Sequence, residues 1–264
     1  MNKFIAALLA TVAALPVVAD DADKIKEKGE VVIGVRDSSP PFGFFDKAKG
    51  TVSGYDIDFA NFVARKLGLK PVFKTVDPAD RIKALKEGRV DLVFASLAKT
   101  AEREKEVDFS VGYYVSTQKL LAKKGKFKDL LQLDMLTVCA PKGTTNARYL
   151  QDISQKVKIV APADYAESFA ALQDGRCEAV SGPEATLLGN LSKLPNRGEF
   201  EVPDVPVASE ALGVGIRKGE KRLQKMVNDA LADAESSGEA AKIYERWFGA
   251  NSPVQIPRSF KINR

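Results

Sequence analysis

The chain has 264 residues, 45% hydrophobic and 28% charged, which is apolar material enough for one large domain or two modest lobes. Its 40 basic and 35 acidic residues leave a formal charge of +5, and the charges are interspersed rather than gathered into a nucleic-acid-binding stripe. Histidine is absent, which removes the commonest general base and the commonest zinc ligand.

Residues 1–19 read as a secretory signal peptide: Lys3, an apolar run from Phe4 to Leu15, then Val17-Val18-Ala19 before Asp20. A membrane anchor is the weaker reading, because the run is shorter than the ~20 residues that span a bilayer and Pro16 interrupts it. The mature chain is therefore expected to be soluble and exported. Loss of Lys3 lowers its formal charge from +5 to +4.

Val31–Val35 reads as a strand, followed by a loop carrying Arg36, Ser38, Ser39 and the aromatics Phe42, Phe44 and Phe45. Gly54-Tyr55-Asp56 then opens a helix in which Ile57, Ala60, Val63 and Leu67 recur at helical spacing, and Gly68 ends it. A strand over Val72–Val76, a helix over Pro78–Glu87 and an unbroken apolar strand, Leu92–Ala95, complete a β-α-β-α-β run. That alternation predicts a parallel sheet with right-handed crossovers. The last strand stops at Ser96, and a polar segment leads to a charged turn with Arg103. An arginine beyond the carboxyl end of a central strand suits a ligand carboxylate, because its fork donates two parallel charge-assisted bonds. The plainer alternative pairs Arg103 with Glu102, Glu104 or Glu106 on a solvated turn.

After Tyr113-Tyr114 the rhythm restarts. Strands are expected over Lys119–Lys123, Leu136–Ala140, Val157–Val160 and Cys177–Ser181, with helices from Asn146, over Tyr165–Leu172 and over Pro183–Leu191. Lys123, Lys124, Lys126 and Lys128 form the only dense basic run, and without an aromatic platform it reads as a solvated hairpin or loop. Gly143-Thr144-Thr145 at a helix start offers free N–H groups and hydroxyls to an anion, although plain capping by Thr is the commoner use of such a turn. One such turn in each half favours a ligand held between them. Cys139 and Cys177 lie in or beside two of the strands, and either a bridge or two buried thiols is open; the exported context favours the bridge. A strand over Gly213–Arg217, an amphipathic helix with Leu223, Met226, Val227, Ala230 and Leu231, a helix over Gly238–Phe248 and an irregular tail finish the chain.

Gly54-Tyr55-Asp56-Ile57-Asp58, Ser96 with Arg103 and Phe109-Ser110, Gly143-Thr144-Thr145, Asp174-Gly175-Arg176-Cys177-Glu178-Ala179 and the closing SSGEAAKIYERWFG resemble the extracellular (periplasmic) solute-binding proteins of polar amino-acid ABC transporters, family 3. Arg36-Asp37-Ser38-Ser39 and the irregular tail after Trp247-Phe248 are most similar to the glutamate/aspartate-binding branch. The resemblance implies an α/β, two-lobed periplasmic-binding-protein fold of type II, each lobe a mixed, mostly parallel sheet flanked by helices, joined by two hinge crossovers. Lobe one is then 20–114 with 212–264, lobe two 119–208, and the crossovers 115–118 and 205–211. It further implies a periplasmic monomer without cofactor or metal, binding an amino acid for an ABC permease in the inner membrane.

Carried over residue by residue, Arg103 clamps the α-carboxylate with help from Ser96, Thr145 and Asn146. Arg36 meets the side-chain carboxylate, Phe42 walls the cleft, and Tyr165 takes a side-chain contact. Two departures stand out. Ala98 lacks the hydroxyl usual at its position, and Pro183 replaces the Asp that ordinarily holds the ligand ammonium, which leaves the neighbouring Glu184 as the expected partner or implies a dicarboxylate without an amine. Some relatives of the fold are dehydratases. Glu184 and Glu167 are the acids that would serve one here, but no nucleophile elbow, P-loop or dinucleotide fingerprint is present, and a binding protein is the expectation.

Overall fold

The computed structural model of the chain describes residues 21–263, so the signal peptide expected over residues 1–19 lies outside the described residues. Helix α1 (Asp21–Lys28) leads into β1 (Glu30–Val35), and the following loop folds into a small antiparallel sheet of β2 (Ser38–Ser39), β3 (Gly43–Asp46) and β4 (Thr51–Ser53). Then come α2 (Tyr55–Lys66), β5 (Lys70–Thr75), α3 (Arg81–Lys86) and β6 (Leu92–Phe94), in the expected alternation. Both β5 and β6 pair with β1 in parallel. Strand β6 is buried along its whole length, as its unbroken apolar run requires of a strand covered on both faces.

Strand β7 (Val107–Lys123) runs for 17 residues, joining into one element the segment at Phe109 and the strand expected at Lys119. After it come β8 (Thr137–Cys139), α4 (Asn146–Ile153), β9 (Lys158–Val160), α5 (Tyr165–Gln173), β10 (Ala179–Pro183) and α6 (Glu184–Leu191). The chain closes with β11 (Phe200–Glu201), β12 (Ala208–Arg217), α7 (Lys221–Ser236) and α8 (Glu239–Phe248). In α7, Leu223, Val227, Ala230, Leu231 and Ala234 fall on one helical stripe and are buried. Each fully buried Leu or Val there contributes roughly 1.5–3 kcal/mol.

One nine-stranded sheet has the order β5-β1-β6-β12-β7-β10-β8-β9, with β11 also on β7. Its centre is the antiparallel pair of β12 and β7, in register from Arg217 opposite Val107 to Ala208 opposite Gln118. On each side stands a wing of three strands parallel to one another: β5, β1 and β6, or β10, β8 and β9. Gln118 is opposite Ala208 on one edge and Pro183 on the other, so β7 passes between the wings at that residue.

Each wing carries core on both faces. The largest cluster centres on aromatic rings, where Phe42 meets Tyr114 edge-on at 4.8 Å and Tyr55 at 5.9 Å. The described residues after α8 form no helix or strand, yet Phe260 packs on Tyr114 at 5.5 Å, and Val254 and Ile262 are buried. Cys139 and Cys177 are bridged, with Cα atoms 5.7 Å apart at the edge of the parallel β8–β10 pair. Closing 38 residues of chain contributes roughly 4 kcal/mol in the chain-entropy account.

Candidate functional site

The carboxyl ends of the first wing's strands present three arginines. Arg36 follows β1 directly and is buried; its Nη1 donates to the Val76 carbonyl (3.0 Å) and its Nη2 to Ser38 Oγ (2.8 Å). Burial lowers its pKa, with Asp164 and Asp37 acting against that trend. An arginine starts from so high a value that it stays cationic. Arg81, the first residue of α3, is also buried, and its guanidinium donates to the carbonyls of Pro78 (3.0 Å), Ala95 (2.8 Å), Ser96 (3.0 Å) and Gly143 (3.0 Å). Burial, then Arg103 and Arg36, push its pKa well down. Arg103 donates to the Ala98 carbonyl and the Gly143 carbonyl, both at 2.9 Å. The solvated-turn alternative fails for two of its acids, since Glu104 and Glu106 pair with Lys99 and Lys86 instead.

Ser96 ends the β6 segment with a φ of 48°, in the left-handed region that a non-glycine residue seldom occupies. Asp56 holds it there, accepting from Ser96 N (2.8 Å) and Ser96 Oγ (3.1 Å), and it also accepts from Tyr113 OH (2.7 Å). Complete burial raises the Asp56 pKa to about 6, and these same bonds oppose the rise.

The second wing meets the first at Gly143, whose carbonyl takes Nη2 of both Arg81 and Arg103. A Cβ there would stand 2.4 Å from Ala79 Cα, and φ is +78°, so only glycine fits. Thr145 makes no side-chain cap to α4; its hydroxyl donates instead to Glu210 Oε2 at 2.8 Å. Asn146 Nδ2 donates to Tyr165 OH (3.0 Å) and to the Ser181 carbonyl (2.8 Å). Gly182 leaves room for the Tyr165 ring, whose Cε1 a Cβ would approach to 2.8 Å.

Between the wings lies a cavity whose enclosed room is about 30 Å³, within about 400 Å³ of non-atom space that includes open solvent. Arg36, Ser96, Arg103, Thr145, Asn146 and Tyr165 all line it, so six of the eight residues expected at a binding site come together. Phe42 and Glu184 need correcting. Phe42 is fully buried among Tyr55, Tyr114 and Phe248, because an apolar ring gains more in that cluster than against a polar cleft. Glu184 starts α6 but does not line the cavity; Lys119 Nζ donates to its Oε1 at 2.7 Å. Glu167 is exposed on the first turn of α5 and also lies outside the cavity. Sequence reasoning missed Ser39, Arg81, Gln118, Thr186 and Glu210, which line it too. Three guanidiniums thus line the cavity against a single lining carboxylate, that of Glu210, an excess of two positive charges among the lining residues, with Asp164 and Asp37 acting on Arg36 from outside the lining. Such a chamber suits an anion. Among the described residues no group of three His, Cys, Asp or Glu is placed to hold a metal ion.

The family model of bacterial extracellular solute-binding proteins, family 3, matches residues 31–250. The chain is 33% identical over 273 aligned residues to an L-glutamate/L-aspartate-binding protein of Pseudomonas aeruginosa, covering 97% of this chain and 89% of that one. It is 32% identical to the ABC transporter glutamine-binding protein GlnH of Bacillus subtilis, covering 86% of this chain and 84% of that one. Among solved structures, an ancestral arginine-binding protein bound to glutamine superposes with a TM-score of 0.79 at 35% identity, over 84% of this chain and 98% of the other.

Proposed function

This chain belongs to the bacterial extracellular solute-binding proteins of family 3, and from that premise we propose that it captures an acidic amino acid, glutamate or aspartate, in the periplasm and delivers it to the inner-membrane permease of an ABC importer. The fold is the two-lobed, type II binding-protein fold that its solved relatives share. Named relatives bind acidic amino acids in one case and glutamine in another, so their names alone do not choose. The observation that carries the choice is the surplus of two positive charges among the residues lining the cavity. A zwitterion with a neutral side chain brings no net charge to offset it, whereas glutamate or aspartate brings one negative charge.

Arg103 holds the α-carboxylate, with Ser96, Thr145 and Asn146 around it, and only two of its five N–H groups are spent on carbonyls. Arg36 takes the side-chain carboxylate, and Tyr165 stands against the ligand stem. The lobes, 20–114 with 212–264 and 119–208, rotate about the crossovers 115–118 and 205–211. The paired bonds of Arg81 and Arg103 to Gly143 support that movement, because they join the two wings directly. A binder rather than an enzyme is supported by the named relatives, which are binding proteins.

Thermal unfolding with glutamate, aspartate, glutamine and arginine tests this. A ligand at a hundred times its dissociation constant adds about 2.7 kcal/mol of stability. Glutamate or aspartate should give the largest upward shift. If glutamine or arginine stabilises the protein more, the acidic assignment is wrong and binding by the family fold still stands.

A further inference from the structure

A buried ligand ammonium must find anionic or carbonyl-type acceptors, since an unpaired charge in a closed site is heavily penalised. Glu184, committed to Lys119, does not supply one. Three other acceptors line the cavity near where the crossover strands join the second wing. The first is Glu210, on β12. Its Oε1 accepts from Gln118 Nε2 (2.7 Å), and its Oε2 accepts from Thr145 Oγ1 (2.8 Å) and Tyr149 OH (3.0 Å). All three donors are neutral, so the carboxylate is fixed in place without being neutralised, and one of its roughly four lone-pair sites is left over. The nearby arginines direct their bonds to carbonyls: Arg103 to Ala98 and Gly143, Arg81 to Pro78, Ala95, Ser96 and Gly143.

The second acceptor is Gln118, which is 1% exposed and whose Oε1 has no hydrogen-bond partner. Its amide orientation follows from the bond that Nε2 makes to Glu210; a flipped amide would set oxygen against carboxylate oxygen. The third is Thr186 Oγ1, likewise 1% exposed and without a partner. Thr186 lies on the first turn of α6, three residues beyond Pro183, which is itself opposite Gln118 in the sheet. All three side chains line the cavity. Two buried oxygens left without partners beside a fixed carboxylate are costly unless something with N–H donors comes to them.

We propose that Glu210, Gln118 Oε1 and Thr186 Oγ1 form the receptor for the ligand's ammonium group, so that the amine is recognised from the crossover strands. An ammonium carries three N–H donors, and three acceptors are waiting. The inference rests on the reading of the cavity as an amino-acid site. It adds the residues that separate an amino acid from a dicarboxylate without an amine.

Calorimetric titration of L-glutamate and of glutarate, its deamino analogue, into wild type, Glu210→Gln and Thr186→Val tests this. Wild type should prefer glutamate. Removing one partner of a buried charge pair predicts that Glu210→Gln weakens glutamate by roughly 100-fold. Glutarate should bind that variant as well as it binds wild type, or better. Thr186→Val should cost glutamate roughly 5- to 10-fold and glutarate nothing. Thermal unfolding of each ligand-free variant shows whether it folds, and Thr186→Val keeps the comparison decisive if Glu210→Gln does not. Equal losses for both ligands, or an unchanged preference for glutamate, would overturn the assignment. So would a wild type that prefers glutarate, although the two-carboxylate cavity would survive that result. If wild type binds a neutral or basic amino acid instead, the acidic reading fails, and the same variants titrated with that amino acid and its deamino analogue still decide the role of Glu210.

Discussion

Replacing Gly143 by alanine separates strain inside one lobe from strain between the two. At φ +78° any L side chain meets the left-handed penalty of roughly 1–2 kcal/mol, whatever surrounds it. The new Cβ would also stand 2.4 Å from Ala79 Cα and 2.5 Å from Ala79 N, and these are backbone atoms of the opposite wing that no rotamer change can move. Overpacking of that kind costs about 1–3 kcal/mol. Relieving it separates the Gly143 carbonyl from Arg81 and Arg103, and each hydrogen bond to a charged group contributes roughly 1.5–3 kcal/mol. A cleft that can open avoids the clash, so this second part should appear in binding and not in folding. Gly175 is the control, with φ +72° and nothing near its added Cβ, so Gly175→Ala meets only the backbone penalty. We expect both variants to lose similar thermal stability without ligand. Gly143→Ala alone should lose about 3 kcal/mol or more of ligand affinity, at least roughly 150-fold by calorimetry. Equal ligand affinity in the two variants would refute closure through this contact.

Arg36→Met should weaken glutamate roughly 100-fold more than glutamine, because only glutamate presents a second carboxylate to the lost charge; equal losses by titration would make Arg36 a structural residue that only supports Val76 and Ser38. Asp56 titrates in the folded protein at about 6 against 3.8 unfolded, so between these values the folded state holds one more proton and stability falls as pH rises. The difference in unfolding free energy between wild type and Asp56→Asn should therefore shrink by about 2 kcal/mol from pH 4 to pH 6 in denaturant titrations, and a difference that stays flat with pH would mean that burial does not govern Asp56.

Part of what the sequence revealed of the site came from local signals. Arg103 and Ser96 were legible because an apolar strand stops abruptly and a polar turn follows it. Thr145 was legible because Gly-Thr-Thr marks a helix start, whereas Asn146, Arg36 and Tyr165 came from the family resemblance. Glu210 and Gln118 carry no such mark. Each sits within a strand, and only the long-range pairing of β7 with β12 brings Gln118 beside Glu210. Arg81 reads as an ordinary charge on a short amphipathic helix, and its burial follows from the three segments whose carbonyls surround it. Glu184 shows how narrow the margin is, since one residue along a helix turns a side chain by about 100°, far enough to exchange a cavity for Lys119. The parallel pairing of the first wing was readable from the β-α alternation, but its strand order and the unbroken run of β7 through Tyr113-Tyr114 were not, because a change of pairing partner leaves no trace in composition.

The continuity of β7 also decides what kind of motion this molecule can make. Two strands cross between the wings as a hydrogen-bonded antiparallel ribbon, and its register slips between Leu212 and Gly213 and again between Gly213 and Gly215, opposite Gly112. A ribbon of this kind cannot shear without breaking its ladder, and it cannot lengthen. Twist and bend are its only soft modes, and its ladder is interrupted at Gly213, just on the lobe-one side of the proposed crossovers 115–118 and 205–211. For the proposed rotation of the lobes, the connection is expected to act as a torsion bar, storing elastic energy that grows with the square of the angle and returning it when the load is released. Small excursions cost almost nothing, large ones rise steeply, and the path out is the path back.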